Sequence, residues 1–281
     1  MMPNLINLNE GLEQIKFLVE NAIRTNGDAG KKNVINSKNV INILHEVVKS
    51  SLIINGVNPD LLNPKLGESK GEIKLAGFVK FKTQDICVFP NHINPNPENL
   101  DFFGLHFGKT DRFGELFSEH ILTINLRSQL SALSANIDTM YERTYAEPLN
   151  LHRRLPKMVI GEVYLIAARE LDSKEVVNHN VVYAPVTNAI AKSIETYING
   201  FSALNRRINQ RDDDFKYERI ALIIADFSQS PIKIYNNSKD LKADRLLRME
   251  SNASLENMSF ENFISDLISI YDRRFGTGKL I

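Results

Sequence analysis

Residues 121–167, ILTINLRSQLSALSANIDTMYERTYAEPLNLHRRLPKMVIGEVYLIA, constrain the fold more than any other part of this chain. The stretch opens with an alternating run, in which Thr123, Asn125, Arg127 and Gln129 share one face and Ile124 and Leu126 the other, as a strand dictates. A helical pattern follows, carrying Asp138, Glu142 and Glu147, and then a second apolar strand. Strand, helix and strand in immediate succession commit the chain to a layered α/β core.

The flanking segments extend that core. Residues 8–23 and 37–52 have helical periodicity, and the Pro/Gly/Asn-rich residues 55–71 read as a connection. EIKLAGFVKFKTQDICVFP reads as two strands with a turn near Lys82 to Gln84. A long amphipathic helix is predicted over 186–209. RIALIIADF is a buried strand, PIKIYN can pair with it, and residues 239–249 and 260–273 close the chain as helices. The predicted fold is a mixed central sheet flanked by helices, one α/β domain over 1–281. It divides into a helical N-terminal part (1–70), a core (72–167) and a C-terminal part (185–281). The core sheet is expected to hold strands near 74–80, 85–89, 121–127, 158–166 and 220–225. A helix over 130–151 should bury Leu133, Ile137 and Met140, and Pro148 should kink or end it.

Composition narrows the function class. Hydrophobic residues make up 43% and charged residues 24% of the 281, enough apolar content for a core without metal or disulfide staples. No run is long and apolar enough to span a membrane, and the first residues lack a secretory pattern, so a cytoplasmic protein is expected. The single Cys87 fits a reducing compartment and reads as a small buried hydrophobe. Lys+Arg and Asp+Glu both number 34, which argues against a generally sticky polyanion binder. It leaves room for local basic runs, here LHRRLPK, LNRRINQR and YDRRFGTGK, each of which also fits a solvated helix end.

Several polar groups stand where chemistry could use them. Four polar side chains on one strand face suit either a wet cleft or an ordinary solvent face. Asp138 and Glu142, one helical turn apart, suit either a cation site or a solvated face. Asp85 ends a polar turn at the mouth of an apolar strand, with Glu72 at the other end of the same hairpin and Lys80 and Lys82 flanking it. Glu162 sits inside an apolar strand and needs a partner, because an unpaired buried carboxylate is costly. Carboxylates with a nearby cation are what magnesium-assisted phosphodiester hydrolysis requires.

In this order of elements, over roughly residues 72–166, the chain resembles the PD-(D/E)XK nuclease superfamily and, within it, type II restriction endonucleases. The resemblance implies a core of one helix, three strands, a helix and a fourth strand. It implies Mg2+-dependent, site-specific cleavage of double-stranded DNA. Asp85 matches the first aspartate of the motif, and Asn125-Leu126-Arg127 matches its E-x-K strand. Glu142 matches an acid moved from that strand to the next helix. The implied catalytic set is Asp85, Glu142, Arg127, Asn125 and Glu72, with Asp85, Glu142 and Glu72 on the metal. Arginine holds phosphate well but stays charged, so it cannot deprotonate water. Asn125 and Arg127 at the E-x-K positions equally suit a decayed nuclease-like scaffold that binds DNA or protein.

His92, Asn99 and His106 occur in the order of an HNH finger, but too tightly spaced. No Walker loop, GxGxxG, GxSxG or zinc spacing is present. For DNA contact the reading selects Arg206, Arg207, Gln210 and Arg211 at the end of the long helix, since arginine reads guanine and glutamine reads adenine. A palindromic site would imply a twofold homodimer.

Overall fold

In the computed structural model, residues 4–281 are described except Phe103 and Asn136. In chain order the elements are α1 (Leu8–Ile35), α2 (Lys38–Ile54), β1 (Leu62–Asn63), β2 (Ile73–Ala76), β3 (Phe81–Gln84), β4 (Ile86–Val88), β5 (Glu98–Asn99), β6 (Thr110–Asp111) and α3 (Glu115–Glu119). There follow β7 (Leu122–Gln129), α4 (Ile137–His152), β8 (Val159–Ala167), α5 (Ser173–Val177), α6 (Asn188–Leu204), β9 (Arg219–Asp226), β10 (Lys233–Tyr235), α7 (Ser238–Ala243) and α8 (Phe263–Phe275).

Among the described residues, six strands form one mixed sheet in the order β1-β4-β7-β8-β9-β10. β7, β8 and β9 run parallel, and β1, β4 and β10 pair antiparallel at its two sides. Every residue of β8 is buried, as befits a central strand covered on both faces. Period-two alternation sends Ile124, Val163 and Ile223 to one core, shared with α1, α2 and α8. Ile160, Tyr164, Leu222 and Ile224 enter the other core, with α4 and α6. The result is three layers. Asn125 and Arg127 alternate with Ile124 and Leu126, so they sit on the α4 side. Glu162 pairs in register with Asn125 and lies on the same side, between Ile160 and Tyr164.

The expected mixed α/β sheet is therefore present, with local differences. The strand expected over 74–80 is not in the main sheet: β2 and β3 form a separate hairpin. Its turn falls at Gly77–Lys80 rather than near Lys82 to Gln84, closed by Gly77 N–H donating to the Lys80 carbonyl. A glycine is needed at 77, because a Cβ there would lie 2.1 Å from Asn150 Nδ2. The helix predicted over 130–151 is described from Ile137, with Asn136 outside the described residues, and runs on past Pro148 to His152. The proline lies near its C-terminal end and does not terminate it. The long helix expected over 186–209 stops at Leu204, where Asn205 turns to extended backbone. α1 continues beyond residue 23 to Ile35, crossing a break at Asn26 and Gly27. No helix among the described residues is long and apolar enough to cross a membrane. Cys87 is buried and free.

Candidate active site

Asp85 sits in the bend between β3 and β4, facing the middle of β7. The Leu126 N–H donates to its Oδ2 at 2.8 Å, and its own N–H donates to Asn125 Oδ1 at 3.1 Å. Its other carboxylate oxygen takes no hydrogen bond among the described residues. Asn125 is almost fully buried and spends its amide on two acceptors, Gln84 Oε1 at 3.1 Å and Glu147 Oε1 at 3.0 Å. Arg127, two residues on and on the same face, bridges two acids. Its Nε donates to Glu162 Oε1 at 2.7 Å and its Nη2 to Glu147 Oε2 at 2.5 Å. Lys82 of β3 reaches that same Glu147 oxygen at 3.1 Å.

The result is one charged cluster of Asp85, Glu147 and Glu162 with Arg127 and Lys82. Glu147 and Glu162 are buried, whereas the side chains of Arg127 and Lys82 keep 23% and 31% of their surface in solvent, so the cluster opens on the cationic side. Three carboxylates face two cations, one charge short of balance. Burial raises Glu162, against the pull of Arg127, to about 8, and its Oε2 has no hydrogen-bond partner among the described residues. Burial likewise raises Glu147, opposed by Arg127 and Lys82, and it raises Asp85. One proton held within the cluster restores neutrality. Tyr217, fully buried and with no hydrogen-bond partner for its hydroxyl among the described residues, is pushed far up by burial and by Glu162 and Glu147.

The expected site residues divide clearly. Asp85, Asn125 and Arg127 come together. Glu142 lies exposed on α4 and joins none of these bonds; the acid of that helix that reaches Arg127 is Glu147. Glu142 falls outside the helix face that meets the sheet. Glu72 is exposed and pairs with Lys38 at 3.4 Å, and it touches Asp85 only through its field, which helps raise the Asp85 carboxyl. Glu162 finds the partner its burial demanded. Lys82 is the addition. Among the described residues, no group of three or more His, Cys, Asp or Glu is arranged to hold a metal ion.

The residues selected for DNA contact follow α6 in a loop. Arg207 is fully buried and bonds Pro156 O, Glu218, Gln210 O and Asp214, so its guanidinium is committed to the interior. Arg206, Gln210 and Arg211 are exposed. The three basic runs of the sequence converge here. Lys157, Gln210, Arg211, Arg273 and Arg274 line a cleft of about 650 Å3. Beneath it, Glu218 is buried: burial alone would raise it, but His152, Arg274 and Arg207 outweigh that and hold it at about 2.

Comparison with protein-family models, with curated proteins and with solved structures finds no match.

Proposed function

We propose that this chain is a Mg2+-dependent endonuclease that hydrolyses phosphodiester bonds of double-stranded DNA, a restriction-endonuclease-like enzyme. One observation carries the reading: an aspartate at a strand mouth, an Asn-x-Arg strand and a helical glutamate meet in one partly open cluster. The element order supports it as well, since α2, β1, β4, β7, α4 and β8 run helix, three antiparallel strands, helix and parallel strand.

Magnesium needs only one or two carboxylates besides water and substrate phosphate. Among the described residues, Asp85 and Glu162 each keep one oxygen without a hydrogen-bond partner, so these two acids would hold the ion, whereas both Glu147 oxygens are taken. A bound ion would supply Lewis-acid activation of water and charge neutralisation at the phosphate. Arg127 holds the scissile phosphate from its exposed edge. Asn125 fixes the Asp85 backbone, and Glu147 orients Arg127 and Lys82. Lys82 supplies a second cation beside it.

A catalytically decayed DNA-binding module is the second reading, and the Arg127 clamp favours it, because two glutamates already satisfy that guanidinium. Incubation with supercoiled plasmid separates the two. Nicked or linear product that needs Mg2+ and disappears with Asp85→Ala supports the enzyme. Binding without any cleavage across divalent ions supports the decayed module.

A further inference from the structure

The turn of the β2–β3 hairpin carries apolar side chains outward. Phe78 and Val79 are 45% and 46% exposed, and Leu105 and Phe107, on the neighbouring loop, are 73% and 61% exposed. Isolated exposed apolar residues need no account, but these form one protrusion built from two pinned loops. The Leu105 N–H donates to Val79 O at 2.7 Å. The His106 ring is buried beneath, with Nε2 2.6 Å from Gly77 O and with the Phe81 and Phe102 rings standing nearly perpendicular to it. Asn150 of α4 then clamps the turn. Its carbonyl accepts from Phe78 N–H, its Oδ1 from Val79 and Lys80 N–H, and its Nδ2 donates to Lys80 O. The protrusion is therefore rigid, and it is fixed to the helix that carries Glu147 and to the strand that carries Lys82.

Charge separates the possible occupants. Residues 73–84 contain Lys74, Lys80 and Lys82 and no acid, and residues 104–109 add Lys109 and no acid. Lys80 and Lys109 are exposed, and the Arg153 guanidinium stands 6.0 Å from the Phe78 ring centre. Lysine is depleted from the centres of protein interfaces. Aromatic faces among cations are instead how proteins hold unstacked bases and their phosphates. Apolar side chains that enter a base step also kink the duplex.

We propose that this protrusion is a base-stacking platform: Phe78 and Leu105 take the face of a nucleobase unstacked from the DNA, and Lys80 and Lys109 hold its flanking phosphates. The inference rests on the reading of DNA as the substrate and adds that the duplex is opened or kinked beside the cluster.

The chain contains no tryptophan, so Phe78→Trp places a single indole reporter at the site. Its emission is titrated in EDTA with a short mixed-sequence duplex, fully paired or with a central mismatch bubble, while anisotropy of a dye on the DNA reports saturation. Saturating bubble DNA is expected to quench the indole by half or more. In the otherwise unaltered chain, Phe78→Ser with Leu105→Ser should weaken bubble binding roughly 10- to 100-fold without altering its salt slope. Lys80→Ala with Lys109→Ala should lower that slope by about 2. Unchanged emission at saturation overturns the proposal. So does a protein-concentration-dependent quench without DNA that accompanies loss of a dimer in the Ser variant, which would mean a second copy covers the face. Plasmid cleavage is scored separately. Quench without cleavage removes the catalytic reading and leaves the platform, and cleavage without quench does the reverse.

Discussion

Glu147 shows how a single buried acid holds two partly exposed cations in place. Its oxygens receive Asn125, Arg127 and Lys82. Glu147→Gln should keep the Asn125 contact but leave Arg127 and Lys82 short of an anion. It is expected to cost about 3 kcal/mol in urea unfolding. The acid was legible in the sequence by spacing. Met140, Thr144, Glu147 and Leu151 recur as one buried helical stripe, and an acid on such a stripe must have a partner. The order of Asp85, Arg127 and a helical acid was legible too, but spacing to Arg127 alone selected the exposed Glu142. Glu162 sets the pH behaviour. Its carboxyl, raised to about 8 when folded, binds a proton that the unfolded chain has released. Stability from this group is thus full below about 4.5 and is lost as pH rises through 8. Urea midpoints of the wild type should fall across that window, while those of Glu162→Gln should fall less. If Glu162 holds Mg2+ as proposed, it must be deprotonated to do so, and Mg2+ affinity should rise over the same window with proton release seen by calorimetry.

At the scale of elements, the beginning of β9 and the end of α8 are joined by charge rather than by apolar packing alone. Glu218 receives Arg207 and Arg274 at 3.2 and 2.8 Å, and His152 lies 3.4 Å away. Glu218→Gln strands two buried guanidiniums and should cost roughly 3–5 kcal/mol. The carboxyl is held at about 2 when folded, so its contribution is present above about 4.5 and is lost as pH falls towards 2. Acid unfolding of the Gln variant should therefore be shallower than that of the wild type. Such a network was not legible in LNRRINQR or YDRRFGTGK, which read equally as solvated ends. Only the packing of α8 against β8 and β9 brings arginines from distant segments onto one acid. The long strands β7, β8 and β9 were legible, because alternation and β-branched runs are local signals, whereas the two-residue strands β1, β5 and β6 carry no such pattern. The hairpin turn was displaced because its position is fixed by Asn150, a residue far along the chain.

Across the whole molecule, the N-terminal helices belong to the same body as the sheet. Leu12, Ile15, Val19, Leu44 and Val48 share one core with Ile86, Leu122 and Ile124. Deleting residues 1–54 would uncover that face, and the truncated chain is expected to be insoluble or to lose its cooperative unfolding transition, as circular dichroism and limited proteolysis would report. The two cores meet at β7, whose faces differ in kind: one is aliphatic, and the other carries the charged cluster. Asn150 links that second face to the outermost turn. Three successive amide protons, those of Phe78, Val79 and Lys80, are all held by this one residue. They should therefore trade with deuterium at a common rate even though their side chains stand in water. That rate is a clock for how often α4 and the protruding turn part company, and Asn150→Ala should set all three running fast together.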